Sequence, residues 1–154
     1  MTDRTHVHTP RTTQGSPVQV AATLVGAVFL LVGVLGFIPG ITTNHDGLEA
    51  AGHRSHAELL GIFQVSILHN IVHLLFGAAG IALARTAPSA RRFLVGGGAI
   101  YLVLWLYGLL IDKTSQANFV PLNTADDWLH FVLGLGMVAL GVVLGKRSGR
   151  PVTH

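Results

Sequence analysis

Two segments place groups able to hold protons, metals or hydrogen bonds in apolar surroundings. In Ser66-Ile-Leu-His-Asn-Ile-Val-His-Leu-Leu-Phe-Gly77, His69, Asn70 and His73 interrupt a mostly apolar run from Leu59 to Ala84. In Asp126-Asp127-Trp128-Leu129-His130, an acid and a histidine sit three residues apart at the start of another such run. Histidines four residues apart share a helix face, and a third histidine and a carboxylate from a second helix would complete a ligand set suited to Zn, Cu, Ni or Fe. His69 and His130 at one depth would suit the axial pair of a haem. Glu58, Asp127, His130, His69 and His73 could also form a proton or small-solute path. Against that path, the opposite half of every apolar run lacks histidine and acid. The plainest chemistry is hydrogen bonding across helices, at roughly 0.6–2 kcal/mol per bond, which fixes their register. That structural role for His69, Asn70, His73, Asp127 and His130 is the primary expectation. A metal ion or haem on His69, His73, His130 and Asp127 is the first alternative, and proton or small-solute transport the second.

The elements that must hold these groups follow from composition. Half of the 154 residues are hydrophobic and only 11% are charged, against about 25% charged in a soluble domain. Mean hydropathy is +0.57. A helix needs roughly 20 apolar residues to cross a hydrocarbon core of about 30 Å. Four runs qualify, at about 18–38, 59–84, 93–111 and 127–145, flanked by polar tails at 1–17 and 146–154. The expected fold is all-α, a bundle of four transmembrane helices. Ser55 and Glu58 read as a capping box opening the second helix, and Asp126 and Asp127 suit the first turn of the fourth. The third is expected to begin after Pro88-Ser89. Trp128, Trp105, Tyr101 and Tyr107 are read as interfacial or packing aromatics.

Eight of the ten Lys and Arg residues fall on one side of this arrangement: Arg4, Arg11, Arg85, Arg91, Arg92, Lys146, Arg147 and Arg150. Only Arg54 and Lys113 fall on the other, so the positive-inside rule puts both termini in the cytoplasm. The first run is too long for a signal-peptide core and is expected to be retained as an anchor. Counted from Arg85 and Lys146, His69 and His130 both lie roughly 24 Å above the inner side.

The second and fourth runs share a stripe. Asn70, His73, Gly77, Gly80 and Ala84 recur 57 residues later as Asp127, His130, Gly134, Met137 and Gly141. Small residues in line let helix backbones approach closely in lipid, so Gly77, Gly80, Gly134 and Gly141 are candidate packing positions. The stripe suggests two repeated hairpins, 1–2 and 3–4, with helices 2 and 4 adjoining around the polar cluster.

The segments ELLGIFQVSILHNIVHLLFGAAGIAL and NTADDWLHFVLGLGMVALG carry N-x-x-H-x-x-x-G and D-x-x-L-H-x-x-x-G. They resemble the signature regions of a bacterial membrane family called domain of unknown function 4383. The resemblance extends over roughly 18–145. It implies a four-helix integral protein of the inner (plasma) membrane, found mainly in GC-rich Gram-positive bacteria, and no activity. It adds nothing to the loop residues His45, Asp46, Glu49, His53 and His56, which are expected to be solvated although they could gather cations.

Several functions are excluded. With no cysteine, there are no disulfides or thiolate sites. No P-loop, nucleophile elbow, H-E-x-x-H or dinucleotide fingerprint occurs. Gly96-Gly97-Gly98 is better suited to close helix packing than to phosphate. The basic residues are dispersed, so no nucleic-acid surface is expected, and His6 and His8 read as tail residues. The lipid bilayer is the implied partner, with a homo-oligomer or a partner membrane subunit left open. The expectation is a non-enzymatic multi-pass membrane protein.

Overall fold

The computed structural model describes residues 15–147. The tail residues Asp3, Arg4, His6, His8, Arg11 and Arg150 lie outside that range. Four helices form a bundle: α1 (Pro17–Leu35), α2 (Ile67–Leu83), α3 (Ala87–Leu110) and α4 (Thr124–Arg147). By length and composition, α1, α3 and α4 can each cross a membrane, while α2 is apolar but shorter, at 17 residues.

The helix ends show why these residues form these elements. Ser16 opens α1 in a capping box with Gln19, and Pro17 occupies the first turn, where no intrahelical N–H is lost. The Gln19 amide then donates to the carbonyls of Ala84 (3.0 Å) and Arg85 (2.9 Å), satisfying orphan groups at the end of α2. Thr86 caps α3 by accepting from the Ser89 N–H, and the Ser89 hydroxyl donates to the Leu83 carbonyl at 2.6 Å. The third helix therefore starts at Ala87, with Pro88 inside its first turn rather than before it.

The second helix begins later than its hydropathy suggests. Residues 59–66, expected to be helical, instead complete a small antiparallel sheet of β1 (Thr42–Thr43), β2 (Glu58–Leu59) and β3 (Phe63–Gln64). Leu60 and Gly61 turn the β2–β3 hairpin with φ of 56° and 69°, a left-handed conformation that ends any helix. Ser55 is not an N-cap. Its hydroxyl donates to the Val65 carbonyl at 2.5 Å, and Glu58 pairs with Thr43 and Gln64 in the sheet. A short apolar run flanked by turns fits strand or helix equally well by period alone. Ser66 is the actual cap, accepting from the His69 N–H at 3.1 Å. The next free N–H groups, those of Ile67 and Leu68, bond to the carbonyls of Glu49 and Ala50 in the loop. Ala57, Leu59 and Val65 pack with Val32 and Leu35 as a second small core under this cap.

The helices associate as two antiparallel pairs, α1 with α2 and α3 with α4. Contact between the pairs runs mainly through α1 and α3, not between α2 and α4 as the shared stripe suggests. Each pair closes on facing glycines. A Cβ on Gly77 would lie 2.7 Å from the Gly26 carbonyl oxygen, and one on Gly134 would lie 2.9 Å from that of Gly98. Backbones this close leave no room for a side chain. Gly80 sits between Gly26 of α1 and the Phe93 ring of α3, and Gly141 faces Leu94 and Val95. Between the pairs, Phe29, Phe76, Phe93 and Tyr101 interlock with ring centroids 4.9–5.7 Å apart, a spacing favourable for edge and tilted contacts.

Candidate polar chamber

The N-terminal turns of α2 and α4 face the same end of the bundle as the sheet and hold the polar groups. His69 and His73 are one turn apart on α2, and their rings stack 4.4 Å apart at 7°. His73 Nδ1 lies 2.9 Å from the His69 carbonyl. A carbonyl only accepts, so Nδ1 carries the proton and Nε2 of the neutral ring is a bare acceptor. The Tyr101 hydroxyl of α3 donates to that Nε2 across 3.5 Å. The Tyr101 ring also makes a T-shaped contact with His130 of α4, at 5.0 Å. Tyr101 thus bridges His73 and His130, linking three helices. All three histidines are buried, and the His69 ring also meets the Pro121 carbonyl.

The two aspartates at the start of α4 have different surroundings. Asn123 and Asp126 cap the helix reciprocally. The Asn123 N–H donates to Asp126 Oδ2 at 2.9 Å, and the Asp126 N–H donates to Asn123 Oδ1 at 3.0 Å. Asp126 Oδ2 also accepts the Gln64 N–H of β3 at 3.1 Å, tying the sheet to α4. Asp127, the residue expected beside the histidines, turns the other way. Its carboxylate fills the space left by Gly108 on α3 and takes Lys113 Nζ at 2.7 and 2.8 Å. Both positions lie within helical reach of His130, at i−4 and i−3, so spacing alone does not choose between them.

Asn70 also departs from the expected cluster. It is 1% exposed and its amide occupies the space over Gly36, the C-cap of α1. The polar residues therefore divide three ways: Asn70 against α1, Asp127 with Lys113 against α3, and His69, His73, Tyr101, Asp126 and His130 around the centre. These last five line a cavity of about 220 Å³, closed by apolar residues of α1, α4 and the sheet. The side-chain nitrogens His69 Nδ1, His130 Nδ1 and Asn70 Nδ2 are buried and have no hydrogen-bond partner among the described residues. In the cap, His45 Nε2 lies 3.2 Å from the Phe37 carbonyl, and among the described residues no three of His, Asp and Glu converge to hold a metal ion.

Sequence reasoning missed three members of this arrangement. Tyr101 reads as an ordinary packing aromatic, yet it lies 72 residues after Phe29, as Gly98 lies 72 after Gly26. Lys113 is one of only two cations on an acid-rich side, and a buried aspartate needs such a partner. Asp126 was seen only as a first-turn acid. The loop before it turns on Asp112, whose carboxyl is held below its usual range by the N–H and hydroxyl of Thr114.

No curated protein and no solved structure matches the chain. The model of a domain of unknown function, DUF4383, matches residues 19–143. That span covers α2 and α3, most of α1 and α4, and the chamber, and the chain belongs to this family.

Proposed function

We propose that this is a non-enzymatic integral protein of the bacterial inner membrane that crosses it four times with both termini in the cytoplasm. Two copies of one hairpin are joined in it by a buried polar core. What carries the reading is the position of Tyr101, whose hydroxyl meets His73 of the first hairpin and whose ring meets His130 of the second. In lipid, such groups are costly unless they find one another, and a link made from both hairpins fixes their relative register.

Matching contacts support the two-copy reading. Gly26 and Gly77 face each other as Gly98 and Gly134 do; Asn70 lies on Gly36 as Asp127 lies on Gly108; Ser66 caps α2 as Asn123 caps α4. Every α1 and α3 pair is offset by 72 residues, and every α2 and α4 pair by 57. Charge supports the orientation. Arg85, Arg91, Arg92 and Lys146 lie at the end away from the sheet, while Lys113 at the sheet end is already paired with Asp127. Single cysteines in this cysteine-free chain test it: Gln116→Cys should react with a membrane-impermeant thiol reagent on intact cells, and Pro88→Cys only after lysis. The reverse pattern would invert the topology.

A further inference from the structure

The chamber does not end at its polar residues. A second cavity of about 230 Å³ lies in the seam between α1 and α4 and shares four wall residues with it: Val32, His73, Leu129 and Leu133. Its other walls are Leu24, Val25, Val28, Phe29 and Met137, so His73 is its only polar wall among the described residues. Leu24 and Val28 at its rim are 62% and 54% exposed, which in a membrane means exposed to lipid. A polar space thus adjoins an apolar groove. Water suits the first but finds no partners in the second, whereas a molecule with a polar head and an apolar tail matches both.

We propose that this paired cavity binds an uncharged, single-tailed amphiphile drawn from the bilayer. Its planar, oxygen-bearing ring, of the quinone or quinol class, lies in the chamber, and its tail lies along the α1–α4 groove. The walls select the head. Among the described residues no Lys or Arg lines either cavity, and Lys113 is held by Asp127, so a carboxylate or phosphate head finds no cation there. A cationic head would sit among three histidines, and the one acid lining the cavity among the described residues, Asp126, is held through Oδ2 by two backbone N–H groups. The stacked His69 and His73 rings and the ring of Tyr101 give flat aromatic surfaces suited to a planar head. His69 and His130, on two different helices, each keep a ring nitrogen with no partner among the described residues. The His69 proton is engaged by the Pro121 carbonyl, so its Nδ1 accepts from a hydroxyl, whereas the neutral His130 imidazole can present a donor or an acceptor there; between them the two rings suit hydroxyl and carbonyl oxygens. At about 230 Å³ the groove is sized for one alkyl tail.

The inference rests on the bundle lying in lipid, which the thiol labelling tests separately. Failure of binding with the labelling pattern intact would therefore count against the ligand alone. The probe is decylubiquinone, a benzoquinone with a ten-carbon tail, titrated into the full-length protein in nanodiscs while the melting temperature is followed. A saturable rise is expected. Val28→Trp, at the exposed rim, should abolish it by filling the groove while the variant still folds. His130→Gln should weaken binding at least tenfold. Decanol, decanoate and decyltrimethylammonium should each bind at least tenfold more weakly than the quinone. No saturable rise, equal affinity for decanol, or an unchanged quinone affinity in Val28→Trp would overturn the proposal. If His130→Gln does not fold, the rim variant and the ligand series decide.

Discussion

In the first hairpin an amide, Asn70, lies on Gly36; in the second a carboxylate, Asp127, lies on Gly108. The backbone solution is the same, since a missing side chain on one helix makes room for a polar group from the next. The chemical consequence differs. An amide can be buried at the cost of an incompletely paired N–H, and Asn70 Nδ2 has no partner among the described residues. A buried carboxylate needs a counter-charge, because its desolvation cost otherwise exceeds what packing returns. The second hairpin supplies Lys113, whereas residues 17–83 of the first contain no lysine. Phe29 and Tyr101 differ in the same way. They hold equivalent places 5.3 Å apart, and only the tyrosine has the hydroxyl that reaches His73. The hairpins thus share a packing plan, and the polar exchanges laid over it make one hairpin the donor in the link between them.

Moving the charge across should break this comparison most severely. Asn70→Asp would bury a carboxylate on Gly36 with no lysine beside it. We expect a loss of about 3–5 kcal/mol, the usual penalty for an uncompensated buried charge, measured by unfolding in detergent or seen as failure to accumulate. Asp127→Asn should cost less, because Lys113 is 31% exposed and can turn to water. Equal losses would mean that the two sites do not differ in the way described.

Packing should divide the hairpins evenly. Gly77→Leu and Gly134→Leu each push a side chain into a facing backbone and should each cost about 1–3 kcal/mol. Gly136, on α4, has nothing within 4 Å of its Cβ position, so Gly136→Leu should leave the melting temperature nearly unchanged. A loss at only one of the two facing glycines would show that the hairpins are not built alike.

Much of this plan was legible in the sequence, and the failures have physical causes. The helix count, the hairpin pairing and the polar stripe follow from hydropathy and the 57-residue repeat, because side-chain period and helix length are local properties. The partner of each stripe is not. Gly77 and Gly134 look as though they should face each other, yet each faces a glycine on the preceding helix, and nothing in the spacing of one helix names its neighbour. Residues 59–66 were misread because a buried strand pair and the first turns of an apolar helix have the same composition. The turn at Leu60-Gly61, not the apolar residues around it, decides the matter. Asp126 and Asp127 differ by one residue, about 100° around the helix, and only the surroundings show which one faces the histidines.

The most direct test of the account is a double-mutant cycle that rewrites the second hairpin in the chemistry of the first. Asp127→Asn, Lys113→Ile and the double variant would be compared by equilibrium unfolding in the same detergent. Lys113→Ile alone leaves a buried carboxylate, Asp127→Asn alone leaves an unmatched cation, and the double variant removes both charges and leaves a neutral amide on Gly108, as Asn70 lies on Gly36. The account predicts that the double variant is more stable than Lys113→Ile alone. It also predicts a coupling of about 1–3 kcal/mol, short of the fully buried range because Lys113 is partly in water. Losses that simply add would contradict it, since Asp127 and Lys113 would then be independent and the likeness of the two hairpins would end at their glycines.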